Sequence, residues 1–248
     1  MIADPLFWLC AVIAVLMMGI SKGGIGGLGL ASVPLMALTI GPIQAAAIML
    51  PILIVMDWVG VWSYRKYWDK TVLVLMLPFA VFGIFLGWLL AGYVNERFVL
   101  ISVGVIAVLF PVYAVFKPQG EQGFIKDNKP FGIIAAIIAG FTSFVAHAGG
   151  PPFKTYVIPQ GLDKRVFAGT GVMFFFVVNF VKLLPYAMLG QFDATNIKTS
   201  LMLIPLAPVG VLIGVWLVNV IDQAVFFKII YALIFAVGVK LLWDGIGF

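Results

Sequence analysis

Charge is scarce in this chain: Asp, Glu, Lys and Arg make up 10% of its 248 residues. The single cysteine, Cys10, excludes an intrachain disulfide and any multi-cysteine metal or iron–sulfur site. There is one histidine, His147, and neither an HExxH motif nor a carboxylate pair, so no metal site and no cofactor are expected. No Walker-type loop or other nucleotide motif occurs, which argues against direct ATP drive. No basic stripe occurs either, which argues against a nucleic-acid partner. The longest polar stretch is Lys117–Lys129, too short for a soluble domain. Met1–Cys10 has no basic n-region and no small-residue cleavage site, so the first apolar segment is expected to stay in the mature protein.

Hydrocarbon takes the place of polarity. The chain is 63% hydrophobic, with a mean hydropathy of +1.16, and reads as an all-α polytopic membrane protein whose first partner is the lipid bilayer. Its apolar elements are Pro5–Ile20, Leu28–Ile40, Ile43–Trp62, Thr71–Gly92, Phe98–Phe116, Phe131–Val145, Pro152–Ile158, Val166–Leu189, Ser200–Val218 and Ala224–Trp243. Most are long enough to cross a hydrocarbon core of about 30 Å. Trp8, Trp58, Trp62, Trp68 and Trp88 read as interface-belt residues.

The chain repeats itself. Pro78, Gly83 and Gly87 recur as Pro205, Gly210 and Gly214, and Val33-Pro34 recurs as Ile158-Pro159. This divides it into a first repeat (residues 1–116), a linker (117–129) and a second repeat (130–248), each of four elements beginning with an interrupted helix. If each interrupted unit crosses once, the repeats are parallel, and Lys and Arg fall eight against four on the two sides. If each goes in and comes back, the repeats are inverted and the count is nine against three. The positive-inside rule prefers inversion, with both termini outside. Gly83, Gly87, Gly210 and Gly214 read as packing glycines.

The interruptions carry the chemistry. The first reads Gly19-Ile20-Ser21-Lys22-Gly23-Gly24-Ile25-Gly26-Gly27; the second runs from Gly140 through Thr142, Ser143 and His147 to Gly149-Gly150-Pro151-Pro152. Paired breaks in corresponding halves point to a transport site. A helix that starts within the membrane aims unpaired N–H groups and a partial positive charge at whatever precedes it, and glycine lets a ligand approach that backbone. The candidate substrate residues are therefore Ser21, Lys22, Gly23, Gly24, Ser143, His147, Gly149 and Gly150. Lys22 has a second reading, as the partner of Asp57, and His147 a second one as a neutral, hydrogen-bonded side chain. Lys154 is expected to face headgroups and ranks below Lys22. Asn179 and Lys182 lie a turn apart inside a span and, with Asp57, form a second circle open to proton coupling or to a structural salt bridge.

The two breaks and the two-halves helix plan closely resemble the TauE/SafE family of sulfite and organosulfonate exporters, over essentially the whole chain. The resemblance implies a multi-pass permease of the cytoplasmic membrane that moves a small sulfur-containing anion such as sulfite or sulfoacetate. The second break, His147-Ala148-Gly149-Gly150-Pro151-Pro152, departs from the Gly-Gly-Gly form common in that family. A passive anion channel or an uptake permease for another oxyanion fits the same residues. An intramembrane hydrolase would use Ser143 or Ser21 with His147, since Ser143 and His147 are four apart. The sequence leaves a homo-oligomer open.

Overall fold

A computed structural model describes residues 4–25, 28–91 and 127–247, with isolated positions between 93 and 112. Gly26, Gly27, most of the expected Phe98–Phe116 element and the linker before residue 127 lie outside the described residues. All regular structure among the described residues is helical: α1 (Pro5–Ile20), α2 (Ser32–Ala37), α3 (Pro42–Tyr64), α4 (Lys70–Leu89), α5 (Lys129–Ala146), α6 (Gly150–Val157), α7 (Lys164–Met188), α8 (Ala194–Leu203), α9 (Leu206–Val220) and α10 (Gln223–Ile246). Six helices are long and apolar enough to cross a membrane; α8 and α9, bent by 48° at Pro205, make a seventh if they form one span. Proline has no N–H for the helix ladder and clashes with the preceding turn, which accounts for the bend.

The few acids are spent at the borders of the spans. Asp69, Asp163, Asp193 and Asp222 accept hydrogen bonds from backbone N–H groups at the starts of α4, α7, α8 and α10, and Asn128 does so for α5. A capping carboxylate satisfies N–H groups that lipid cannot. The Asp193 cap starts α8 at Ala194, six residues before the element expected at Ser200. The element expected at Leu28–Ile40 is instead a short 3-10 turn (Leu28–Ala31) followed by α2. Among the described residues, Asp57 is the one acid buried in the core.

Glycine sets the helix pairings. Gly19 of α1 faces Gly210 of α9, and Gly23 faces Gly214, so that a Cβ at any of them would overlap the opposite backbone. Gly83 of α4 meets the Ile137 carbonyl of α5, Gly140 meets the Ala80 carbonyl, and Gly87 meets the Phe144 ring. Close approach of this kind is how helices associate where lipid is as apolar as their side chains. Residue numbers rise together in both pairs, so α1 runs parallel to α9 and α4 to α5. In contrast α3 runs antiparallel to α7: Trp58 packs edge-on against Phe176 with centroids 5.1 Å apart, and Gly60 meets Val172.

Both interrupted units fold back. Gly29 lies beside Met18 and Ser21, and α2 packs on α1. Gly149 lies against the Ala139 carbonyl and Ser143, and Tyr156 lies against Gly132, so α6 returns along α5. The outer surface is apolar: Leu9, Trp62, Leu184 and Trp216 are all more than half exposed, as a lipid-facing exterior requires.

Candidate functional site

Over its described residues, the first break distorts the end of α1. Ser21–Ile25 continue α1 as a π-type turn, and the chain bends at Gly24, whose φ of 124° lies in the region open to glycine. The Ser21 N–H is bonded to the Met17 and Met18 carbonyls. Gly23 is packed on α9, and its carbonyl accepts a 2.6 Å hydrogen bond from the Tyr64 hydroxyl. Gly23 therefore serves packing and offers its oxygen, where the sequence suggested an N–H donor; Gly24 reaches the cavity described below.

Lys22 is bound. Its ammonium donates to one oxygen of Asp57 at 2.7 Å, and Asn179 Nδ2 donates to the other at 2.6 Å. Asp57 is fully buried, and the Lys22 ammonium lies 5.1 Å from the Phe175 ring centroid. A carboxylate this deep must be paired and hydrogen-bonded, and it receives both contacts here.

The second break is a true stop and restart. His147 ends α5 in the left-handed conformation (φ 51°), one of two non-glycine residues with positive φ among those described. Its N–H bonds the Ser143 carbonyl, and the next N–H bonds that of Thr142. Lys182 braces this end from α7. Its Nζ lies 3.0 Å from the Ser143 carbonyl, 3.2 Å from Ser143 Oγ and 3.0 Å from His147 Nδ1. A cation suits the negative end of a helix. Because the Ala46 carbonyl, 3.3 Å from Nε2, can only accept, Nε2 carries the ring proton and Nδ1 accepts from Lys182. The hydrogen-bonded neutral histidine is the reading this network favours. Tyr186 closes the cluster, donating to the Phe144 carbonyl at 3.0 Å. The Ser143 hydroxyl thus pairs with Lys182, not with His147 as the hydrolase reading requires.

The restart, α6, begins at Gly150 with Gly149 as its cap. Pro151 and Pro152 have no N–H, and the Phe153 N–H bonds the Gly149 carbonyl. Lys154, expected among headgroups, instead turns inward and is only 7% exposed.

These parts converge on one cavity of about 100 Å³. Ser21, Lys22 and Gly24 reach it from the first break, and Ser143, His147 and Gly150 from the second; Lys154 and Asn179 complete its polar lining. Phe153, Phe167 and Phe175 form much of the remaining wall. The space holds several waters or one small oxyanion. Asn179 and Lys182, neighbours on α7, part company: one serves Asp57 and the other the end of α5. Sequence reasoning missed Tyr64 and Tyr186, because a tyrosine bonded to a distant carbonyl leaves no local pattern. No group of three or more His, Cys, Asp or Glu side chains that could hold a metal occurs among the described residues.

A family model described as sulfite exporter TauE/SafE matches residues 11–241. No curated protein and no solved structure matches the chain.

Proposed function

Because this chain belongs to the sulfite exporter TauE/SafE family, we propose that it is a secondary transporter that carries a small sulfur-containing anion, sulfite or an organosulfonate such as sulfoacetate, out across the cytoplasmic membrane. The observation that carries this reading is the single cavity reached by both helix breaks, with cationic and hydroxyl side chains set in an aromatic wall. A small-molecule site has this form, a mostly apolar concavity with a few convergent polar groups. The membrane potential would drive the anion outward with about 2.3 kcal/mol per charge per 100 mV. His147 and Lys182, in contact beside the cavity, are the groups through which a proton would couple to it.

The same reading takes the two halves as inverted repeats. The offset that carries Gly83 and Gly87 onto Gly210 and Gly214 exchanges the α4–α5 pairing for the α9–α1 pairing, and both pairs are parallel. With both interrupted units folded back, the basic residues divide nine to three, and the end holding Arg65, Lys70, Lys164 and Arg165 is cytoplasmic. The cavity lining includes Phe167 and Ala168, near that end of α7, which is where an exported anion would load.

Efflux from proteoliposomes tests this. Sulfite or sulfoacetate should leave saturably, faster than acetate or sulfate, in response to an imposed potential. Single-channel currents in place of saturable flux would replace the carrier with a passive channel, and indifference among all four anions would remove the substrate assignment.

A further inference from the structure

We propose that the anion is seated by Lys154 and the N–H groups of Gly149 and Gly150, and that Lys22, the cation favoured by sequence, is not its principal partner. This rests on reading the cavity as an anion path and names the group that does the binding.

The cations near the cavity are not equivalent. Lys22 is committed to Asp57, and Lys182 places its donors on Ser143 and His147. Lys154 is more than nine-tenths buried, lines the cavity, and makes no hydrogen bond or ion pair with any described residue. Its ammonium opens into the cavity and meets no protein acceptor among the described residues, so water or a ligand must pair with it. It also curls back over the start of its own helix: its Nζ lies 4.0 Å from the point where a Gly150 Cβ would stand. The start of a helix is its positive end, so the two positive charges repel unless an anion lies between them.

The local sequence suits that anion. Pro151 and Pro152 remove two of the N–H groups of the first turn, and Phe153 uses its own on Gly149. The N–H groups of Gly149 and Gly150 have no hydrogen-bond partner among the described residues, and Gly150 lies on the cavity wall beside the Lys154 ammonium. Apart from that ammonium, nothing stands within 4 Å of a Gly150 Cβ, so the face of Gly150 is open to a ligand. By contrast, a Cβ at Gly149 would press on the Ala139 carbonyl and Ser143, which fixes Gly149 as the hinge of the turn. An oxyanion bridging the ammonium and these two N–H groups would satisfy all three.

Binding of sulfite, sulfoacetate, acetate and phosphate to the purified full-length protein, measured by calorimetric titration and ligand-induced thermal shift, tests the seat. Lys154→Met and Gly150→Ala should each raise the Kd of the preferred anion roughly tenfold or more. Lys154→Met should also melt, without ligand, at the wild-type temperature or above, because it loses no partner; Gly150→Ala, whose methyl meets open space, should keep wild-type stability. Lys66→Met, on an exposed lysine away from the cavity, is the control. A Kd within twofold of wild type in both cavity variants overturns the seat. So does a loss of binding in Lys154→Met matched by a loss of ligand-free stability. Failure of the sulfur-anion reading looks different: the wild type would prefer acetate or phosphate, yet that binding would still fall in both variants, leaving the seat standing. If the wild type binds none of the four anions, both readings fall.

Discussion

Separating Lys22 from Asp57 should be expensive, and removing both should be cheaper than the sum. The N–O distance is 2.7 Å, the carboxylate is fully buried and the lysine side chain is 12% exposed. At an effective dielectric near 20, two unit charges at that distance attract by about 6 kcal/mol. Desolvation cancels much of this, and removing one partner of a buried pair typically costs about 3–5 kcal/mol. Lys22→Met leaves Asp57 with Asn179 alone and should cost about 4 kcal/mol. Asp57→Asn keeps the shape and leaves an ammonium that reaches the cavity, and should cost about 2 kcal/mol. The double variant buries no charge there and should cost about 3 kcal/mol, a coupling energy of about 3 kcal/mol. Unfolding of the four proteins in mixed micelles measures the cycle. A double variant that costs the full sum, about 6 kcal/mol, would refute the pairing as an energetic unit. Asp57→Asn has a second consequence: it frees the Lys22 charge into the cavity, so anion binding should tighten by about tenfold while turnover falls. Weaker binding in that variant would mean that Asp57 itself holds the substrate site in shape.

Three further outcomes follow from the packing. Gly140→Ala drives a methyl into the Ala80 carbonyl where α4 and α5 touch, and should lose about 1–3 kcal/mol or fail to fold, read as a fall in melting temperature. Tyr64→Phe strips the Gly23 carbonyl of its 2.6 Å donor and should cost about 1–2 kcal/mol, with faster hydrogen exchange across Ser21–Ile25. Lys182→Met removes the donor to the Ser143 hydroxyl and His147 Nδ1 and leaves the Ser143 carbonyl with the His147 N–H alone; it should destabilise by about 3 kcal/mol and release the His147 ring from a single tautomer, visible in its nitrogen chemical shifts.

The sequence alone determined what depends on neighbours along the chain. Runs of apolar residues marked the long spans, and the ends of α1, α3, α4 and α7 fell close to where hydropathy changed, because a backbone in lipid must satisfy itself locally. Glycine with a lone Lys or His marked both breaks, because such residues are costly in hydrocarbon unless a cavity or a packed neighbour receives them. Even the Lys22–Asp57 pair was legible as an alternative, since Asp57 had few other cations within reach. The tertiary structure decided how each group is used. It turned Gly23 into a packing surface, because Gly214 of a helix nearly two hundred residues away lies against it. It sent Asn179 and Lys182 to different partners, although they share a helix face. It also paired Lys22 with Asp57 and turned Lys154 inward, since which lysine meets a carboxylate depends on where the one acid buried among the described residues lies. Local periodicity specifies a face of a helix; only the assembled bundle specifies what that face meets.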